Sequence, residues 1–273
     1  MSIKITFGMI VFNAEKNLPD GMLYNCIKNI YDFAHEIIIV EGATKAVNHY
    51  FDGDTSKFTN DGKSNDGTLD IIKSFPDPQN KIKLIESKGF WDGKTQMCNE
   101  YAKIATGDYI WQLDSDEFYH HEDIESLLLI LEKKKIDAVH FYANHFFGGY
   151  DYCINETDSK WANQIPWMRI FRNVPGKSYW ISHEPPNYVC DNTVCNTGKV
   201  LTRDQTLALG IKLYHYSYVE LNQVKFKASF YKNEKCLEEW NKFDKDKNYK
   251  PFGCHNIKFI GEHPKIIQDK YLL

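Results

Sequence analysis

Acidic residues follow an apolar segment near the middle of the chain. The segment 108–113 is typical of a buried strand, and Asp114, Asp116 and Glu117 come directly after it. The mutual repulsion of these carboxylates costs stability unless a cation or hydrogen-bond donors offset it. Two carboxylates at positions i and i+2 after a strand can share one divalent ion, and their oxygen atoms suit Mg²⁺ or Mn²⁺. The alternative is an acidic turn that precedes the next helix.

The elements around these residues predict a parallel sheet. The predicted strands in the first part of the chain are 3–12, 36–40, 81–86 and 108–113, and the predicted helices are 18–33, 68–75 and 94–106. Strands that alternate with helices are typical of a parallel sheet with crossover helices. Ligands of such sheets bind at the carboxyl ends of the strands, which is where the acidic residues fall.

The rest of the chain is richer in predicted strands. A helix over 123–134 is followed by strands over 138–147, 167–171, 177–181 and 211–219, a long helix over 221–243 and a short strand over 257–260. A polar insert over 43–65 separates the second strand from its helix, and connections of this length are often functional loops. Because no linker or repeat divides the chain, we expect one α/β domain over 1–273.

The composition favours an ordinary globular protein and excludes some partners. The chain has 273 residues, a net charge of −4 and 42% hydrophobic residues. This acidic balance argues against nucleic acid as a partner, and a small anionic ligand would need a local cation. No apolar stretch approaches the roughly 20 residues of a membrane helix. The seven cysteines form no Cys-x-x-Cys pair, which predicts reduced thiols and a cytoplasmic location.

The first 120 residues resemble the donor half of family 2 glycosyltransferases with the GT-A fold. The resemblance rests on segments that follow one another in the family's order. They are the opening strand with Asn13 and Glu15, Val40-Glu41-Gly42-Ala43-Thr44, Ser64-Asn65-Asp66-Gly67-Thr68, the run with Asn99, Ala105 and Gly107-Asp108-Tyr109, and Leu113-Asp114-Ser115-Asp116-Glu117. The last segment has the Asp-x-Asp-Glu form of lipopolysaccharide-core-type members. The insert separates two segments that are continuous in the family.

The resemblance implies a metal-dependent transferase. Such an enzyme moves a sugar from a nucleotide-sugar donor, most commonly a UDP- or GDP-sugar, to a hydroxyl group of a glycan or another acceptor. Asp114 and Asp116 would hold Mn²⁺ or Mg²⁺, which neutralises the diphosphate leaving group. His215 lies in a family-like stretch and would complete the metal shell. The alternative for His215 is a packed polar residue in a strand.

The resemblance also implies donor-binding residues, and Asp114 is one of them. Asn13, Glu15 and Asn99 are included because they match family motifs. Glu41 follows the second strand, where acidic residues accept hydrogen bonds from a ribose or base; the alternative is a charge near a helix N-terminus. Lys94 begins a predicted helix and could hold a phosphate or the donor sugar, or be an ordinary surface lysine.

The acceptor half, 121–273, should supply a catalytic base. His183 and Glu184 resemble the His-Glu pair of the same subgroup. An inverting transferase needs a base that takes the acceptor proton, and we predict Glu184 first and His183 second. The alternative is that Glu184 forms a structural ion pair with Arg169 or Arg172.

The sequence pattern is also compatible with three other functions. A retaining GT-A transferase could use the same metal ligands. A nucleotidyltransferase has a similar sheet, but it usually carries a Gly-rich phosphate loop after its first strand, and segment 13–18 has none. A catalytically silent glycan- or nucleotide-binding module would not need Asp114, Asp116 and His215 together.

Overall fold

The computed structural model describes residues 3–50, 55–154 and 167–272. The strands are β1 Ile5–Val11, β2 Glu36–Glu41, β3 Ile82–Glu86, β4 Tyr109–Leu113, β5 Glu117–Phe118, β6 Ala138–His140, β7 Tyr142–Phe147, β8 Tyr152–Ile154, β9 Met168–Arg172, β10 Ser178–Ser182, β11 Asn187–Cys190, β12 Thr193–Val194, β13 Val200–Leu201, β14 Lys212–Tyr218 and β15 Asn256–Lys258. The α-helices are α1 Ala14–Asn17, α2 Met22–Ile30, α3 Lys45–Tyr50, α4 Thr68–Ser74, α5 Lys94–Ile104, α6 His121–Lys133, α7 Arg203–Ala208, α8 Leu221–Phe230, α9 Lys235–Lys245 and α10 Lys265–Tyr271.

The main sheet is mostly parallel, and its central strands are covered on both faces. Its strand order is β13-β6-β9-β4-β1-β2-β3; β9 runs antiparallel to both of its neighbours, and the other pairs are parallel. Because side chains alternate along a strand, Ile37 and Ile39 pack on the α2 side while Ile38 and Val40 pack on the α5 side. Burial on both faces explains why β2 is continuously apolar. The predicted α/β fold is confirmed.

A smaller sheet brings the second half of the chain to the acidic residues. Its strand order is β15-β8-β7-β14-β5. The short strand β5 begins at Glu117 and pairs antiparallel with β14, which in turn pairs parallel with β7. The loop that carries Asp114 and Asp116 is therefore held between the two sheets.

Two predicted elements are each divided in the structure. The predicted strand 138–147 separates into β6 and β7, which belong to different sheets; between them the Phe141 N–H donates to the Trp167 carbonyl. The predicted helix 221–243 separates into α8 and α9. Lys232 has a left-handed backbone there (φ 47°), which ends the first helix.

The insert over 43–65 closes on itself, so the two parts of the interrupted motif meet. The Ala43 N–H donates to the Gly62 carbonyl at 2.7 Å. Gly62 has φ 84°, and a Cβ at this position would lie 2.2 Å from the Gly89 carbonyl oxygen, so only glycine fits. In its described residues the insert also contains α3.

Two general features accompany this fold. All seven cysteines are buried free thiols. Across residues 3–50, 55–154 and 167–272, every helix is too short or too polar to cross a bilayer.

Candidate active site

A cavity of about 890 Å³ opens at the carboxyl edge of the main sheet. Residues that follow β1, β2 and β4 line one side of it, and residues of β14 and α8 line the other. Six of the residues predicted from the sequence lie on its wall: Lys94, Asp114, Asp116, His183, Glu184 and His215. The fold thus brings together side chains up to 121 positions apart in the chain, from Lys94 to His215.

Asp116 and His215 meet because of strand pairing. The Tyr216 N–H donates to the Asp116 carbonyl at 2.9 Å, and His215 stands opposite Glu117 in the ladder between β14 and β5. His215 Nε2 then lies 3.3 Å from Asp116 Oδ1. Burial acts to raise the pKa of Asp116, but its interactions with His215 and with the Lys227 ammonium outweigh burial and hold that pKa well below its usual range. Asp116 is therefore ionised at neutral pH.

A second histidine supports His215 from the next strand. His145 on β7 is the register partner of His215, and their Nδ1 atoms are 3.0 Å apart. One ring must donate and the other accept. If the proton is on His215 Nδ1, its Nε2 presents a lone pair toward Asp116, as a metal ligand does. The Trp167 ring packs edge-on against His215, with centroids 5.0 Å apart.

Lys227 on α8 also reaches Asp116, which the sequence did not predict. Its ammonium lies 3.5 Å from Asp116 Oδ2 and 2.8 Å from the Ser217 carbonyl oxygen, and it also donates to Ser217 Oγ. The ammonium stands 4.7 Å from the centre of the Tyr218 ring. Burial lowers the pKa of Lys227, although the Asp116 charge acts in the opposite direction.

Asp114 has a different cationic neighbour. Arg169 on β9 donates from Nη2 to Glu117 Oε1 at 2.6 Å and from Nε to the same carboxylate at 3.0 Å. The same Nη2 lies 3.4 Å from Asp114 Oδ2. Arg169 and Glu117 are both buried, so each charge depends on the other.

The chemistry of the metal ligands predicted from the sequence suits a hard divalent ion, but their arrangement is incomplete. Carboxylate oxygens and an imidazole nitrogen are ordinary ligands of Mn²⁺ or Mg²⁺. Asp116 and His215 are in contact, whereas Asp114 is turned toward Arg169. In the described part of the chain, no three His, Cys, Asp or Glu side chains are placed to hold one metal ion. Further ligands would have to come from a bound molecule or from a movement of Asp114.

His183 and Glu184 lie together on the cavity wall, but their surroundings differ. His183 is buried, and burial lowers its pKa to about 4, so the ring is neutral at pH 7. Gln112 Nε2 donates to His183 Nε2 at 3.1 Å and so occupies the lone pair that a base would use. Glu184 is exposed to the cavity. These contacts favour Glu184 over His183 as the base.

The structure does not show the alternative prediction, an ion pair of Glu184 with Arg169 or Arg172. Arg169 contacts Glu117 and Asp114, and Arg172 Nε donates to Asp137 Oδ1 at 2.6 Å. Both arginines therefore pair with other carboxylates.

Lys94 is the first residue of α5 and lies on the same wall. Burial acts to lower its pKa, but the charges of Tyr231, Asp114 and Glu184 outweigh this effect and raise the pKa. Lys94 is thus a cation that interacts with the Asp114 and Glu184 carboxylates, and all three residues line the cavity.

The remaining predicted donor-binding residues lie outside the cavity lining. The Asn13 N–H donates to Ser64 Oγ at 2.9 Å, and its side-chain oxygen accepts from the Asn65 N–H. Glu41 Oε1 accepts from the Ser64 N–H at 2.6 Å, and burial raises the pKa of this carboxyl group. These contacts join the separated halves of the motif beneath the cavity.

The other two of these residues lie on helices. The Asn99 side chain donates to the Trp180 carbonyl and accepts from the Trp180 N–H, which fixes α5 to β10. Glu15 is half-buried on α1, where burial raises its pKa. The residues with contacts that organise the site from behind the cavity wall are therefore Asn13, Glu41 and Asn99.

Comparison with known proteins assigns this architecture to a family. The family model described as Glycosyl transferase family 2 matches residues 6–182, which is more than half of the chain. The chain belongs to glycosyl transferase family 2. The matched residues include every donor-side segment identified in the sequence and end at β10. The family that the sequence resembled is thus confirmed.

Individual relatives are distant. An uncharacterized glycosyltransferase of Haemophilus influenzae is 25% identical over 170 residues, which are 62% of this chain and 54% of that protein. The chain therefore covers little more than half of that relative's length. A crystal structure of S. aureus TarS 1-349 in complex with UDP-GlcNAc is 16% identical, with a TM-score of 0.40 over 62% of this chain and 45% of that one. The mannosyltransferase PcManGT from Pyrobaculum calidifontis, in complex with GDP-Man and Mn²⁺, is 14% identical, with a TM-score of 0.41 over 63% and 45%.

Proposed function

We propose that this protein transfers a sugar from a nucleotide-sugar donor to a hydroxyl group of an acceptor, and that the cavity is the site of transfer.

 The observation that carries the proposal is a set of charged or titratable residues that line one cavity: Asp114 and Asp116 after β4, His215 within β14 and Lys94 at the start of α5. A diphosphate leaving group needs cations, and a buried anionic site can hold them.

The donor would bind at the carboxyl edge of the main sheet. We infer a UDP- or GDP-sugar, because a nucleoside diphosphate fits a cavity of this size and Lys94 can contact a phosphate. Asp116 and His215 would hold Mn²⁺ or Mg²⁺ together with diphosphate oxygens, and Asp114 would contact the donor. The ion, when bound, offsets the charge that develops on the leaving phosphate.

The acceptor hydroxyl would be activated by Glu184. Its carboxylate takes the hydroxyl proton as the acceptor oxygen forms a bond to the anomeric carbon and the bond to the diphosphate oxygen breaks. Direct displacement of this kind inverts the anomeric centre. Support comes from the position of Glu184 on the cavity wall and from Gln112, which occupies the His183 lone pair. The buried thiols agree with a reducing, cytoplasmic location.

A thermal-shift panel tests the proposal. The ligands are UDP, GDP, CMP and dTDP, each with and without Mn²⁺. A ligand that binds only the folded state stabilises it by RT ln(1 + [L]/Kd), or about 2.7 kcal/mol at a hundredfold excess over Kd, so the correct nucleotide should raise the Tm above the others. If no nucleoside diphosphate shifts the Tm, the donor assignment is wrong. A donor-hydrolysis assay with the corresponding sugar nucleotide then separates a transferase from a silent binding module.

A further inference from the structure

The Lys227 ammonium is bound in the way a small cation is bound. Its three N–H groups face three oxygen atoms: the Ser217 carbonyl, Ser217 Oγ and Asp116 Oδ2. The Tyr218 ring lies beside the ammonium. The Lys227 side chain is 19% exposed. Carbonyl, hydroxyl and carboxylate oxygens are also the ligands that hard divalent ions prefer.

The position of Lys227 is fixed by the turn between β14 and α8. Gln223 Nε2 donates to the Tyr216 carbonyl, and Gln223 Oε1 accepts from the Val219 N–H, both at 2.9 Å. These buried contacts hold the start of α8 against the end of β14. Lys227, one turn further along the helix, is thereby directed back onto Ser217 and Asp116.

We propose that the Lys227 ammonium occupies the cation position beside Asp116 in the donor-free protein, and that a divalent ion enters only when Lys227 leaves this carboxylate. The proposal rests on the proposed function for the identity of the metal position. Asp116 already has His215 on one oxygen and Lys227 on the other. The Lys227 ammonium lies 3.5 Å from Asp116 Oδ2, so it would repel a divalent ion bound to the same carboxylate.

The donor is the natural trigger for this exchange. A diphosphate brings negative charge and oxygen atoms that can satisfy both Lys227 and the divalent ion. Mn²⁺ should therefore bind weakly to the protein alone and more tightly with the nucleotide, and the loss of the Lys227 charge should remove part of this dependence.

The test is a titration of Mn²⁺ followed by the EPR signal of the free ion, with and without UDP or GDP. The variants are Lys227→Met, which keeps most of the aliphatic stem, and Lys227→Gln, which keeps a hydrogen-bond donor. Lys225→Met is the matched control, because Lys225 is exposed on the same helix. Circular dichroism checks that each variant is folded.

We expect both Lys227 variants to bind Mn²⁺ without nucleotide about tenfold or more tightly than wild type, and the Lys225→Met variant to match wild type. An unchanged or weaker affinity in the folded Lys227 variants overturns the proposal. Wild-type affinity for Mn²⁺ that is equally high with and without a bound nucleotide also overturns it. If neither UDP nor GDP binds, the donor assignment fails, but the comparison without nucleotide still decides the role of Lys227.

Discussion

Asp116 and Glu184 share one cavity but have different surroundings, and this difference separates their roles. Asp116 is buried between His215 and Lys227, so it is held as an anion that attracts cations. Glu184 follows β10 in the sequence. Its side chain is exposed and lines the cavity, where it can reach a ligand. A fixed buried anion suits charge stabilisation, whereas a solvent-accessible carboxylate suits proton transfer.

The proposed role of Glu184 as the base is tested with Glu184→Gln. We expect turnover to fall by about 10²-fold or more while donor affinity stays nearly unchanged, because the base acts on the acceptor and not on the diphosphate. Steady-state kinetics and a donor-binding titration give the two quantities separately. Loss of donor affinity would place Glu184 in the nucleotide site instead. An NMR assignment of the product anomer checks the inverting scheme independently, since an α-linked product from an α-linked donor contradicts it.

The buried pair of Arg169 and Glu117 is tested with Arg169→Met. Removal of one partner leaves an uncompensated buried charge, so the free energy of unfolding should fall by about 3–5 kcal/mol. Arg172→Met is the control on the same strand, because Arg172 is 37% exposed and its pair with Asp137 should contribute less than about 1 kcal/mol. Urea unfolding measures both. The double variant Arg169→Met with Glu117→Gln should recover part of the loss, and no recovery would contradict the charge argument.

The metal position is tested with Asp116→Asn. This change removes a charge with little change of shape, so Mn²⁺-dependent donor binding should be lost. A binding titration with UDP or GDP, with and without Mn²⁺, measures the effect. Donor binding and turnover equal to wild type would show that Asp116 does not act through a metal.

Among individual residues, the sequence predicts those in recognisable motifs better than those that reach the site only through tertiary contacts. The sequence predicts Asp114 and Asp116 because they follow a strand directly, and both line the cavity. The sequence does not single out Lys227, because it is one of many lysines and its contact with Asp116 depends on the turn that directs α8 back onto β14. His145 needed knowledge of the register between β7 and β14.

The arrangement of elements explains where sequence patterns were sufficient. The alternation of strands and helices predicts β1, β2 and β4 at the centre of the sheet because their apolar runs are buried on both faces, and it also predicts the partly buried edge strand β3. The pattern could not show that 138–147 serves two sheets, because both β6 and β7 are largely buried and only their pairing partners differ. The two-residue strand β5 is too short to have a pattern, yet it joins the sheets at the acidic loop.

The insert is connected to α8 by an aromatic cluster. Phe58 lies 6.2 Å, between ring centroids, from both Phe226 and Phe230, and Phe12 lies 6.1 Å from Phe230. Phe12, Phe226 and Phe230 also line the cavity. The cluster therefore links the insert to the helix that carries Lys227.

Donor binding should change the dynamics of the insert. We expect slower hydrogen exchange in 43–47 and 55–65 when the nucleotide is bound, because Thr44 and Val47 line the cavity and Phe58 contacts α8, so a bound ligand should order the insert. Phe58→Ala should reduce this protection and weaken donor binding several-fold, since it removes the contacts to α8. Exchange measured by mass spectrometry gives the first effect and a titration the second. Protection that is indifferent to the donor would contradict a role for the insert in the site.

At the scale of the whole molecule, buried histidines make the stability of the fold depend on pH. Burial lowers the pKa of His140, His183 and His263 to about 4 in each case. His263 lies outside the cavity lining, and its Nδ1 is 2.8 Å from the Tyr216 hydroxyl. It therefore allows the effect of one buried histidine on stability to be measured without a change in the site.

The free energy of unfolding should fall as the pH decreases from about 6.5 to about 4, and His263→Gln should make this fall less steep. The unfolded state binds a proton at the usual pKa of 6.5, whereas the folded state resists it until about 4, so acid favours unfolding within this window. Each such histidine contributes a slope of up to about 1.4 kcal/mol per pH unit, and the variant should lose one of these contributions. Carboxyl groups with raised pKa values, such as Glu117, act in the opposite direction but are common to both proteins and cancel in the difference. Urea unfolding at a series of pH values measures the two slopes. Parallel curves for wild type and variant would show that His263 is not kept neutral by the fold.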